Sequence, residues 1–262
     1  MLEVTRDAYY KKLKRGYVGD VEESQVLELV DKIREDEPRV GTRKLQDRLI
    51  KSGRTVGRDS LFYLLKKTDR LIKPKKSFSK TTYSQHSYAV APNRIKEMVV
   101  TAPKQVLVSD ITYLRMARGE FAYLFLVTDK FSRRIVGYHV SRDLTHYSAL
   151  MALDNAVRLM GDVTGTIHHT DRGCQYCCHE FLMYLGEHKM LSSMTDESHC
   201  YQNAIAERVN GILKDEFNLD AIFGNFNELQ LAVAKAIWVY NTKRTHWSLN
   251  LRTPEQVYKE AA

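Results

Sequence analysis

Apolar residues are spaced in two ways along this chain, and the spacing changes near residue 104. Upstream, the period is helical. Val26, Leu29, Val30 and Ile33 share one face of residues 24–38, which predicts a helix with Ser24 as its cap and Pro38 past its end. Residues 41–53 predict a second helix, capped by Thr42 and stopped by Gly53, and residues 54–71 predict a third. The short break at Gly53 gives a helix-turn-helix pattern. Residues 73–98 are polar, basic and aperiodic, as a linker is.

From residue 104 the apolar positions become β-branched and aromatic. Residues 104–116, 120–132 and 133–141 predict three strands, with Ala117, Arg118 and Gly119 turning between the first two. A helix follows over 145–160 with Thr145 as its cap. Then come a fourth strand (165–170), a helix (179–190), a brief fifth strand (191–195) and a helix (203–217). A long helix over 227–246 precedes the closing segment. The order β-β-β-α-β-α-β-α predicts an α/β unit: a mixed five-stranded sheet with flanking helices, the order also of ribonuclease-H-like folds.

Charge sharpens this division. The formal net charge is +8, and residues 1–98 carry 23 Lys and Arg against 14 Asp and Glu, while the remainder carries 17 against 18. The excess therefore lies wholly in the first part, either as a solvated basic surface or as a footprint for a polyanion. Arg43 and Lys44 on the second helix, and Arg54, Arg58, Lys66 and Lys67 on or near the third, are the candidate DNA contacts. No run of about 18 apolar residues predicts a membrane span, and the first residues lack the apolar segment of a secretory signal. Four cysteines in so long a chain do not make a disulfide framework; reduced thiols in a cytoplasm are expected.

Three acids stand out. Asp110 interrupts the apolar run VLVSDITYL, where an unpaired ionised carboxylate costs several kcal/mol on the order-of-magnitude scale. Asp171 ends the fourth strand. Glu207 lies on the 203–217 helix, across from the stripe Ile205, Val209, Ile212 and Leu213, and Asn203, Asn210 and Lys214 share its side. Glu207 or Asp171 alone reads as a solvated surface group. Asp110, set within a core strand, does not.

Taken together, the segments DITY (110–113), VTDKFSRRIVGY (127–138), HHTDRGCQY (168–176), NAIAERVNGILKDEF (203–217) and RTHWSLNLRTPEQVY (244–258) resemble the DDE recombinases, with the integrase-like core of retroviral integrases and many bacterial transposases. More closely, they resemble the second-reading-frame proteins of the IS-three family of insertion sequences. The resemblance covers roughly residues 24–258. Leu107, Cys174, Gln202 and Thr245 replace the family's more usual Trp, Ser, Asp and Pro, and none of these changes removes an acid.

The resemblance implies four regions: a basic helix-turn-helix-like DNA-binding domain (1–75), a linker (76–98), a ribonuclease-H-like integrase catalytic core (99–220), and a C-terminal helix and tail (221–262). It implies that Asp110, Asp171 and Glu207 are catalytic and bind Mg²⁺ or Mn²⁺, as two ions. Such ions stabilise the attacking and leaving oxygens of phosphodiester transfer. It also implies DNA contacts by Lys214 and Asn210, cleavage of element ends and joining of a 3′-OH, homo-oligomers on DNA in the bacterial cytoplasm, and a partner or fusion encoded by an upstream reading frame. His168, His169 and Arg172 either orient Asp171, meet phosphate or simply pack. A hydrolytic nuclease of the same fold and a non-catalytic DNA-binding regulator are the rival functions. The cysteine pattern Cys174-x2-Cys177, followed by Cys178, His179, His199 and Cys200, lacks a second paired half at metal spacing and is set aside as a zinc site.

Overall fold

A computed structural model describes residues 22–73, 90–196 and 200–261. The chain divides into two units, Met1–Lys75 and Lys76–Ala262. The basic leader and most of the expected linker lie outside the described residues.

The first unit holds helices α1 (22–36), α2 (Thr42–Lys51) and α3 (Arg58–Lys67) around a core of Val26, Val30, Val40, Leu45, Leu49, Leu61, Leu64 and Leu65. Two expected caps are displaced. The chain is already helical at Glu22, so Ser24 lies within α1. Extended Gly41, not Thr42, caps α2. Gly53 does stop α2: its φ of +80° suits a residue without Cβ, and it turns the chain so that the Arg54 amide reaches the Leu49 carbonyl at 2.8 Å. The third helix starts at Arg58 rather than Arg54, because the Val56 carbonyl bonds to the Gln46 side chain (2.9 Å) and holds the intervening residues as a loop.

The second unit is built on strands β1 (Val106–Met116), β2 (Phe121–Asp129), β3 (Ile135–Ser141), β4 (Ile167–Thr170) and β5 (Leu191–Met194), in the order β3-β2-β1-β4-β5. The first three are antiparallel, and β1-β4-β5 are parallel. A two-residue strand, β6 (Ile222–Phe223), also pairs with β1. Helices α4 (His146–Met160), α5 (Cys174–Cys177), α6 (His179–Glu187), α7 (Ala204–Glu216), α8 (Phe226–Thr242) and α9 (Pro254–Glu260) complete it. This is the mixed five-stranded sheet with flanking helices, plus three short elements, α5, β6 and α9, that periodicity does not reveal.

Strand alternation sorts the core onto two faces. Leu114, Met116, Leu124 and Leu126 pack with α7 and α8 residues such as Leu213, Val233 and Tyr240. Leu107, Phe125 and Val127 pack with Ala152 and Leu153 of α4 and Phe181 of α6. On that second face α4 crosses β3 so closely that a Cβ on Gly137 would lie 2.3 Å from the Ala152 carbonyl oxygen.

The segment after α8 folds as a clamp. The buried Arg244 guanidinium makes two 2.7 Å bonds to the Glu216 carboxylate at the end of α7 and a 2.8 Å bond to His246. That turn ends α8 at Thr242, short of the expected His246. Thr253 and Gln256 then form a capping box at the start of α9.

Candidate active site

The register of β1 opens a gap in the sheet where Asp110 sits. On one side β1 is paired with β2 along most of its length. On the other, β4 pairs only with Val106–Val108, and pairing resumes at Arg115–Met116 with β6. Asp110 lies in the interval, on the face covered by α7. Asn203, just before α7, donates its Nδ2 to the Ser109 carbonyl (2.9 Å) and so satisfies the backbone where the ladder stops.

Asp110 is half-buried and tightly held. Its Oδ1 accepts the Ile111 amide at 2.9 Å, and its Oδ2 accepts Asn210 Nδ2 at 2.8 Å. Burial pushes its pKa up to about 7, the charge of Asp171 adds to the rise and Glu207 adds less, against the two hydrogen bonds. Three acids therefore share one field. Asp171 lies immediately after β4, where its Oδ1 accepts the Gly173 amide at 3.0 Å. Glu207 is exposed in the first turn of α7. The three carboxylates are not drawn together as closely as the ligand atoms of the cluster described below.

Lys214 is half-buried two turns along α7 from Glu207. Burial lowers its pKa, and the nearby Asp110 charge opposes that. Tyr176, fully packed against Phe181 and His168, has its phenol held far from ionisation by burial and by Asp171 and Asp110.

The polar side of α7 is not the solvated face that its spacing suggests. Asn203 and Asn210 are both buried, and Asn210 stands behind Asp110. Both histidines of the HHTD segment are buried and neutral. His168 bonds Ser109 Oγ at 2.8 Å and His169 bonds Ser193 Oγ at 2.9 Å; burial lowers their pKa values to about 3 and about 4. They brace β4 against β1 and β5, and are placed neither to meet phosphate nor to carry charge at neutral pH. Arg172 Nε binds the Thr195 carbonyl at 2.9 Å. Another strand-end acid, Asp129, is spent on a turn: its carboxylate accepts Ser132 N, Ser132 Oγ and Lys104 N at 2.6–2.9 Å.

In the first unit Arg43, Arg54, Arg58, Lys66 and Lys67 are exposed, and Lys44 is half-buried. Lys67 pairs with Glu23, Arg58 with its neighbour Asp59, and Arg54 bonds Gln25. The outer face of α3 also carries the exposed rings of Phe62 and Tyr63.

A His/Cys/Glu cluster able to hold a metal ion is present, made of residues that sequence spacing did not group. One ligand atom each from His146, Cys178 and Glu180 lies within 4.8 Å of the others. Cys178 and Glu180 stand at the start of α6, but His146 comes from the start of α4, 32 residues earlier, so no local motif announces the set. Cys174, half-buried, and Cys177, buried, are not part of it. His199 and the side chain of Cys200 lie outside the described residues.

Two family models described as an integrase core domain match residues 100–200 and 188–254. The insertion element IS600 uncharacterized 31 kDa protein of Shigella sonnei is 33% identical, over 96% of this chain and 93% of its own. The transposase for insertion sequence element IS629, also of Shigella sonnei, is 29% identical over 84% of this chain and 73% of its own. Among solved structures, a simian T-cell lymphotropic virus intasome in complex with the PP2A regulatory subunit B56 gamma matches 87% of this chain and 73% of that one, with a TM-score of 0.53 and 18% identity, a likeness of fold.

Proposed function

The chain belongs to the IS-three family of insertion-sequence transposases, within the DDE integrase-core superfamily, and from that premise we propose that Asp110, Asp171 and Glu207 are its catalytic metal ligands. The enzyme is a metal-dependent DNA transposase of the DDE type. The observation that carries the assignment of residues is the field at Asp110: a carboxyl held up to about 7 by burial and by Asp171 is a site short of positive charge.

The donor set fits Mg²⁺ or Mn²⁺, which prefer oxygen ligands. When bound, two such ions would stabilise the charge on the attacking and leaving oxygens of the phosphodiester. The chain's own residues prepare that site. Ile111 N–H and Asn210 Nδ2 fix the rotamer of Asp110 and favour its ionised form. Gly173 N–H holds Asp171 at the mouth of the strand gap. Glu207, exposed at the start of a helix, is free to close on the other two once substrate arrives. The Lys214 ammonium is a ready contact for a phosphate, and α3, with Arg58, Lys66 and Lys67 beside Phe62 and Tyr63, is the proposed grip on duplex DNA. Assembly as a homo-oligomer on DNA ends in the bacterial cytoplasm, and partnership with an upstream-frame product, complete the proposal. No helix among the described residues is long and apolar enough to cross a membrane.

The test separates joining from simple hydrolysis. A labelled duplex carrying the DNA that flanks the gene is incubated with the protein, Mg²⁺ and a target plasmid. Transfer of the label to plasmid through a 3′-OH supports the reading; nicking without transfer would make the enzyme a nuclease of the same fold.

A further inference from the structure

The His146, Cys178 and Glu180 cluster differs from the acids in chemistry. An imidazole nitrogen, a sulfur and one carboxylate make a borderline-soft donor set, which suits zinc-class ions and disfavours Mg²⁺. His146 Nε2, like His169 Nε2, is a buried atom with no hydrogen-bond partner, but His146 alone has a sulfur and a carboxylate within ligand reach. The Cys178 thiol lies 3.5 Å from the Gln175 carbonyl and also meets the Glu180 carboxylate, and burial is the largest cause raising its pKa. Glu180 leaves its carboxylate at the exposed side of the set.

We propose that His146, Cys178 and Glu180 bind one zinc-class divalent ion, which ties the start of α4 to the start of α6. Zinc bond lengths of about 2.0–2.3 Å put tetrahedral ligands about 3.3–3.8 Å apart. The ligand atoms, now within 4.8 Å of one another, need only a small side-chain closure to meet that spacing. Binding replaces the Cys178 thiol proton, which passes to solvent. Three protein ligands leave a fourth position for water. The site's role follows from its place in the chain. Cys178 comes seven residues after Asp171, and the intervening residues form the Gly173 turn and α5. An ion fixing Cys178 to α4 pins the far end of the segment whose near end orients Asp171. Its effect is therefore on the position of the segment that follows Asp171, and the proposal does not depend on the assignment of the acids.

The experiment uses the full chain, stripped with chelator and titrated with Co²⁺ as a spectroscopic stand-in for Zn²⁺. One equivalent should give a thiolate-to-cobalt charge-transfer band with intense tetrahedral visible bands, abolished by added Zn²⁺. Asp110→Asn should leave this signature unchanged, which separates the site from the acids. Cys178→Ser should abolish it. His146→Ala and Glu180→Gln should weaken metal binding by more than the ~10–100-fold that loss of an outer-shell partner costs. Circular dichroism checks that each variant folds. Absence of the band in the wild type, or its persistence in Cys178→Ser, would overturn the proposal. If Cys178→Ser does not fold, the other two variants decide: unchanged binding in both overturns it, and weakened binding in both upholds it.

Discussion

Replacing Asp110 by Asn should make the metal-free protein more stable at pH 8 and leave its stability near pH 4 almost unchanged. The ordinary carboxyl value of 3.8 applies in the unfolded chain, and about 7 in the folded one. Because the folded value is raised, the folded state binds the proton more tightly. Asp110 thus costs nothing below pH ~4, increasingly destabilises the fold as pH climbs to about 7, and carries a constant penalty above that. At ~1.4 kcal/mol per pH unit, the gap from 3.8 to about 7 sets a ceiling of about 4 kcal/mol. Asp110 is only half-buried, so solvent screening brings the expected gain nearer ~2 kcal/mol. The Asn side chain can still accept the Asn210 amide through its carbonyl oxygen. Both tryptophans, Trp238 and Trp247, lie in the second unit, so urea unfolding followed by tryptophan fluorescence reports on the unit that contains the site. Added Mg²⁺ should narrow the difference at pH 8 by stabilising only the wild type. A variant that is equally stabilised at pH 4 and pH 8, or destabilised at pH 8, would refute the argument that burial and Asp171 hold this carboxyl up.

Asn210→Leu removes the donor that favours ionised Asp110, so the acid limb of the pH–cleavage profile should move to higher pH while DNA binding is retained; an unmoved limb would place Asn210 outside the site's electrostatics. Gly137→Ala should destabilise the second unit by about 1–3 kcal/mol, because its Cβ meets the Ala152 backbone carbonyl, which cannot move aside cheaply; chemical denaturation measures this. Lys66→Glu with Lys67→Glu in the full chain should weaken duplex binding and flatten its salt dependence by about two ion equivalents, with cleavage chemistry at saturating DNA preserved; an unchanged salt slope would move the DNA grip off α3.

The succession of strands and helices along the second unit was legible because its strands differ so clearly in composition from the helices around them; their order in the sheet was not. Asp110 was legible because a carboxylate in an apolar strand is costly enough to demand a reason. What spacing missed was tertiary. Asn203 and Asn210 looked like solvent-facing groups because helical period separates faces but cannot say that one polar edge will tuck against a gap in a sheet. The gap itself depends on where β4 stops pairing with β1, a matter of register. The paired histidines before Asp171 invited a chemical role, yet each is consumed by a serine on a neighbouring strand. The RTHWSL segment was recognisable as a motif, but its work, a buried arginine locking Glu216 to His246, shows only in three dimensions. Likewise the cysteines drew attention to one another in sequence, while Cys178 lies instead near a histidine from a distant helix.

Three carboxylates, from a strand, a strand end and a helix, are proposed to form one catalytic metal site. The most direct measurement compares Asp110→Asn, Asp171→Asn and Glu207→Gln with the wild type in Mg²⁺-dependent cleavage of the flanking-end duplex, alongside binding of the same duplex. Each variant should fold and bind this DNA with near wild-type affinity yet show no cleavage above background. Near wild-type cleavage by any one of the three would remove that residue from the site.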